Sequence, residues 1–292
     1  MGIEMKKFFL AIVSLFAMSL ACFSSEIAGT KKFVFQSCEI VCIQDTASKM
    51  PQSLFFDTAN SGYKQVESAY DASVNVFLVK KGGKSFLVDA GNEQGRGSLR
   101  EKLRKLDVPA ESITDIFITH IHPDHVGGLR WDNKPLFPNA TIHIASKEFE
   151  AWQKDSKRAS LSKFILPYGN KIRLFQYEET LPLGMIPMKR GGHTPGHTIF
   201  RMPLGGEKEA LFVGDIVHGV ALQFPHPTFC AKFDAAPQEA VKSRIQTLQM
   251  KGVFFGAHFP FPGVSQGGIV LKGEPDWSFS YSAGVSDVKT AK

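Results

Sequence analysis

One short run, His120-Ile121-His122-Pro123-Asp124-His125-Val126-Gly127-Gly128, limits what this chain can fold into more than any other part of it. It directly follows Ile113 to Thr119, an apolar and largely β-branched stretch that reads as a buried strand. Three imidazoles and a carboxylate within six residues would cost a hydrophobic core heavily and give a surface little. Imidazole nitrogens and carboxylate oxygens are donors that zinc accepts, and a turn lets sequence neighbours aim at one point. His120 and His122 are two residues apart, so an extended strand end directs both to the same side. Asp124 and His125 lie past a bend stiffened by Pro123, free to address a second point, and Gly127-Gly128 lets the backbone pass close by.

Strands and helices alternate on both sides of this run. Val74–Val79 and Ser85–Asp89 flank Gly82-Gly83 and predict a hairpin. Leu99, Leu103 and Leu106 share a helical face, with Pro109 beyond its end. Thr141–Ile144 reads as a strand, and Ser146 as the cap of a helix carrying Phe149 and Trp152. Residues 155–180 are less regular and read as a surface connection or lid. Strands follow near Ile186–Met188, Thr198–Met202 and Ala210–Val213, then a helix from Pro237 to about Met250, and Val253-Phe254-Phe255 leading into Gly256-Ala257-His258. With 292 residues, 43% of them hydrophobic, and no linker-like tract, the pattern predicts one α/β domain of sheets covered by helices.

The N-terminus reads differently. Lys6 and Lys7 precede an apolar run from Phe8 to Ala21, with small residues Ser19 and Ala21 where a signal peptidase needs them. Residues 1–21 are therefore expected to be a signal peptide, and 22–292 the domain of an exported protein, periplasmic or secreted. The run is too short for a transmembrane segment, which takes about 20 apolar residues. Cys22 follows the cut, leaving a lipid anchor and an ordinary thiol both open. Without residues 1–21 the net charge falls from +6 to +5. No Lys/Arg run or aromatic-basic interleaving marks a nucleic-acid surface, so the basic balance suits solubility, anionic substrates or membrane surfaces. Cys38 and Cys42, in one strand, stand about 13 Å apart and cannot bridge each other. A bond from either to Cys230 stays open beside the alternative of buried thiols.

Taken with its later motifs, the sequence resembles the metallo-β-lactamase superfamily, whose signature is His-x-His-x-Asp-His after a strand. The resemblance runs from about Val74 to His258 and implies an αββα sandwich: two facing mixed β-sheets, helices outside, metals at one edge. Asp89, ending Phe86-Leu87-Val88-Asp89, matches the acidic strand end that supports the metal loop from behind. His197, in Gly192-His193-Thr194-Pro195-Gly196-His197-Thr198, matches the third histidine of the first metal. Asp215, ending Leu211-Phe212-Val213-Gly214-Asp215, matches the aspartate that bridges both metals, and His258 the last ligand of the second. The implied sets are His120, His122 and His197 for one ion and Asp124, His125 and His258 for the other, with Asp215 between. His143, His193 and His226 are expected to be hydrogen-bonded or surface histidines, and His218, close enough to approach the site, a supporting or purely structural residue and not a ligand.

Histidine rather than glutamate at position 122 favours two zinc ions per chain over the di-iron flavoprotein branch, with iron or manganese as alternatives. Gly214 to Pro225, extended by Phe233-Asp234 and the helix from Pro237, resembles the exported branch related to methyl parathion hydrolase and the quorum-quenching lactonases. The resemblance implies a hydroxide shared by two metals that attacks a lactone or phosphotriester. Asp124 and Asp215 are the candidate catalytic residues, Asp124 as a proton shuttle to the leaving group. No Gly-x-Ser-x-Gly elbow offers a protein nucleophile. Phe224, Phe229, Phe233, Phe259 and Phe261, on segments leaving the ligands, predict a hydrophobic pocket for a small ester-like substrate. A mononuclear iron sulfur dioxygenase and an exported metal-binding protein without turnover stay open as other classes, as does a homodimer.

Overall fold

In most strands apolar residues point to both sides, and this decides the layering. In the computed structural model, which describes residues 27–59 and 68–267, one mixed sheet orders seven strands as Thr30–Val34, Glu39–Pro51, Ala69–Lys81, Lys84–Val88, Ile113–Phe117, Thr141–Ala145 and Ile172–Phe175. The first four pair antiparallel with one another, and the pairings from Lys84–Val88 onward are parallel. A second mixed sheet orders five: Ile186–Lys189, Thr198–Gly205, Lys208–Gly214, Gly252–Gly256 and Val264–Gly267. The expected signal segment and Cys22 lie outside the described residues.

Side-chain alternation separates three cores. Phe77, Val79, Phe86, Val88 and Phe117 face Phe200, Phe212 and Phe255 between the sheets. Phe77 meets Phe212 at 5.6 Å and Phe255 at 5.4 Å between ring centroids, within the tilted and edge-on range that aromatic pairs favour. The other face of the first sheet, with Leu78, Leu87, Ile116, Ile142 and Ile144, packs against Leu99, Leu103, Trp152 and Phe164 from helical segments. The other face of the second, with Ile199, Leu211, Val213 and Phe254, takes Leu248 from the helix Pro237–Leu248. Helix, sheet, sheet and helix make the αββα sandwich, and each buried Phe or Leu contributes about 1.5–3 kcal/mol.

The hairpin turns at Gly82-Gly83 as expected, and the helices Leu99–Lys105 and Pro237–Leu248 sit where the pattern puts them. Ser146 is the first residue of its helix, not its cap, and its hydroxyl donates to the Phe175 carbonyl at 3.1 Å. Residues 155–180 are no lid. They carry Phe164, Ile165 and Tyr168 into the first core and end in the edge strand Ile172–Phe175. The described cysteines, Cys38, Cys42 and Cys230, are buried and free. Among the described residues no helix is long and apolar enough to cross a membrane.

Candidate metal centre

The C-terminal ends of parallel strands from both sheets meet at one edge. Ile113–Phe117 leads to His120, His122 and the short helix Pro123–Val126; Lys208–Gly214 leads to Asp215; Gly252–Gly256 leads to His258. Asn75 holds the two sheets together there, its amide donating to the carbonyls of Gly256 and Phe259 at 3.0 and 2.8 Å. Gly214 has φ +52°, and a Cβ on it would lie 2.6 Å from His197 Nε2, so only glycine fits.

Two groups of donors converge. In the first, His120 Nε2 and His122 Nδ1 are 2.9 Å apart, and His193 Nε2 lies 3.2 and 3.0 Å from them. Asp215 Oδ2 completes it, 3.2 Å from His193 Nε2. In the second, Asp124 Oδ2 stands 3.8 Å from His125 Nε2 and 3.5 Å from His258 Nε2. Asp215 reaches this group too, with Oδ1 3.0 Å from His125 Nε2 and Oδ2 3.1 Å from His258 Nε2.

The donor chemistry fits a cation in each group. Three ring nitrogens facing one another at hydrogen-bond distance cannot all be satisfied by protons, because one proton bridges one pair and leaves a lone pair facing the third. His125 Nε2 and Asp215 Oδ1, both buried, face each other at 3.0 Å, and neither is hydrogen-bonded among the described residues. Buried polar atoms left so are costly, and a positive ion answers all of them together.

The outer ring nitrogens are also fixed. Asp89 accepts from His125 Nδ1 at 2.8 Å and from the Thr119 backbone N–H at 2.8 Å. The Ser73 carbonyl holds His258 Nδ1 at 2.8 Å, and Asp234 holds His193 Nδ1 at 2.9 Å. Such contacts set which nitrogen offers its lone pair to a metal. Burial opposes ionisation of Asp215, but His125, His258 and His120 around it keep its carboxyl well below the usual range.

The geometry corrects the reading of the two histidines in Gly192–Thr198. His193, expected to be a bystander, is in the first group; His197, expected to be the third ligand, is not. His197 Nε2 instead accepts the Asp215 backbone N–H at 3.0 Å. Burial pushes its pKa down to about 3, so it stays neutral and keeps that lone pair. His218 does approach the site, its Nε2 3.2 Å from Asp215 Oδ2, and with Asp215 and His258 it forms a further potential donor group. His143 is hydrogen-bonded to Asp115 at 2.8 Å and stacked on Phe117, and His226 leans toward Phe229, both as bystanders do.

The predicted aromatic pocket also needs correction. Phe224 and Phe259 are buried against each other in the outer core of the second sheet. Phe229 is buried with Phe55 and Tyr70, and Phe261 packs against the inter-sheet core. Phe233 alone of the five faces the centre: 38% exposed, its ring lies 4.8 Å from that of His218 and 6.1 Å from that of His193.

With this geometry in hand, known proteins give a consistent comparison. The family model described as the metallo-beta-lactamase superfamily matches residues 69–249. The structure of hydrolase AbOPH of the beta lactamase superfamily is 26% identical, with a TM-score of 0.75 over 86% of this chain and 97% of that one. AidC, a dizinc quorum-quenching lactonase solved with the product N-hexnoyl-L-homoserine, is 26% identical, with a TM-score of 0.74 over 87% of this chain and 98% of that one. An atrochrysone carboxyl ACP thioesterase of Pseudocercospora fijiensis is 28% identical over 174 residues, 58% of this chain and 45% of its own. A beta-lactamase-like protein 2 homolog of Drosophila melanogaster is 26% identical over 145 residues. The chain spans about half the length of these two curated relatives.

Proposed function

The chain belongs to the metallo-β-lactamase superfamily of metal-dependent hydrolases, and from that premise we propose that it is a binuclear zinc hydrolase acting on ester-like bonds, a lactone with a hydrophobic group first and an aryl phosphotriester second. One observation carries the reading: Asp215 offers oxygens to both donor groups at once. His120, His122 and His193 would hold one ion, Asp124, His125 and His258 the other, with Asp215 between. When bound there, two divalent ions would supply Lewis acidity, lowering the pKa of a water toward about 7 and polarising the substrate oxygen.

The chain's own residues do the rest. Asp124, 29% exposed and the most open of the carboxylates in the cluster, would take up the proton lost by the attacking water and hand it to the leaving oxygen. Phe233 gives the mouth an apolar wall against which an acyl or aryl group can shed water, worth about 1.5–3 kcal/mol, or roughly ten- to a hundredfold in specificity. The similarity to AidC, whose name records a dizinc lactonase, supports a lactone as substrate. From residues 1–21 we also propose export, and protein from the native host should then begin near Cys22.

A series of lactones with lengthening acyl chains tests the substrate. Catalytic efficiency should rise with chain length in wild type and rise much less in Phe233→Ala. A flat series in wild type, or faster turnover of phosphate diesters or β-lactams, contradicts the reading.

A further inference from the structure

We propose that Asp234, held by Arg244, is a positioning residue that fixes the His193 ring for metal binding; this rests on the binuclear reading above. Nothing in the histidine motifs points to either residue. Asp234 is buried, and its two oxygens do different things. Oδ1 lies 2.9 Å from His193 Nδ1, whereas Oδ2 accepts the Ala231 backbone N–H at 3.0 Å and Arg244 Nη2 at 3.4 Å. An ionised carboxylate only accepts, so His193 Nδ1 must be the donor. The proton is thereby kept on Nδ1, and Nε2 is left with its lone pair facing His120, His122 and Asp215.

Arg244 explains why Asp234 stays there. It is among the largest fully buried side chains, and a buried guanidinium is tolerated only when its donors are used. It donates from Nε to the Ile216 carbonyl at 2.7 Å, and from Nη1 to those of Pro227 and Phe229 at 2.8 and 2.6 Å. One cation thus ties the segment leaving Asp215 to the segment arriving at Asp234. The helix Pro237–Leu248 that carries Arg244 is itself pressed on the His193 loop. Gly192 has φ +119°, and a Cβ there would lie 2.1 Å from the Ala240 nitrogen. The Ala235 and Ala236 N–H groups donate to the carbonyls of His193 and Gly192 at 3.1 and 2.8 Å. Backbone and ring of His193 are therefore both set from one helix end. The arrangement repeats for the first donor group what Asp89 does for His125 in the second.

Zinc affinities of the full chain, measured by competition with a chromogenic chelator, test this in wild type, Asp234→Asn and the control Asp115→Asn, which removes a buried carboxylate–histidine pair away from the centre. Loss of such an outer partner typically weakens metal binding about ten- to a hundredfold. Asp234→Asn should lose that much at one of two sites, while the other site, and both sites of Asp115→Asn, stay as in wild type. Two unchanged affinities in Asp234→Asn overturn the proposal, as does equal weakening in Asp115→Asn. Histidine-selective nitrogen NMR of zinc-loaded wild type needs no variant to fold: His193 should carry its proton on Nδ1, and a proton on Nε2 refutes the assignment. Wild type that binds no zinc defeats the hydrolase reading itself, whereas two zincs with an indifferent Asp234→Asn defeat only this inference.

Discussion

Replacing Glu148 with glutamine should loosen both ligand loops at once. Glu148 is 1% exposed, in the helix Ser146–Lys154. Its Oε1 accepts the Ile121 N–H, between His120 and His122, at 2.9 Å, and its Oε2 accepts the Gly196 N–H, three residues past His193, at 2.9 Å. Glutamine can keep one of these bonds but turns an NH2 toward the other donor. One hydrogen bond to a charged group is lost and one buried N–H is left unpaired, a cost of about 1.5–3 kcal/mol. Alanine leaves both N–H groups without this partner and should cost more, about 3–5 kcal/mol. The assay is a urea titration of metal-stripped protein, read from the midpoint at unchanged slope, so that ion binding does not mask the effect. Glu148→Gln within about 0.5 kcal/mol of wild type, the range of ordinary surface changes, would refute the idea that this carboxylate clamps the loops.

Four further outcomes follow from the geometry. His193→Ala should bind one zinc fewer per chain, while His197→Ala should keep both and lose stability because the Asp215 N–H loses its acceptor; metal analysis with thermal unfolding separates them. Gly214→Ala should fold poorly, since its Cβ would meet His197 Nε2 at 2.6 Å in a left-handed backbone, and soluble yield reads this directly. Burial raises the Asp115 pKa, but hydrogen bonds with His143 and Thr114 outweigh it and hold the carboxyl below its usual range. Its contribution to stability is therefore complete above the unfolded value of about 3.9 and is lost as pH falls through the folded value, so the stability gap between wild type and Asp115→Asn should shrink below about pH 4. Burial pushes the Cys230 thiol up to about 11 and raises Cys42 further, so a thiol reagent at neutral pH should label Cys38, Cys42 and Cys230 only as the protein unfolds.

Much of the scaffold was legible because period-two alternation and glycine turns are local signals. The hairpin around Gly82-Gly83, the His120–His125 turn and the helix from Pro237 all follow from them. The edge strand Ile172–Phe175 was not, because it is made by parallel pairing with Thr141–Ala145, a distant partner that leaves no mark in residues 155–180. His193 and His197 were exchanged for a similar reason. They are four residues apart in a loop, where no periodicity says which ring turns to the metal edge; that choice is made by Asp234 on one side and the Asp215 amide on the other. Asp234, adjoining the helix start at Pro237, was the available cue. Phe224, Phe229 and Phe259 follow the ligands in sequence, yet each turns into a core, and only the exposed Phe233 lies beside the rings of His193 and His218.

Asp215 stands between the two donor groups, so zinc-loaded, gel-filtered protein should carry two zinc ions per chain. One ion per chain, above all a single iron, or none would rule out a two-ion centre.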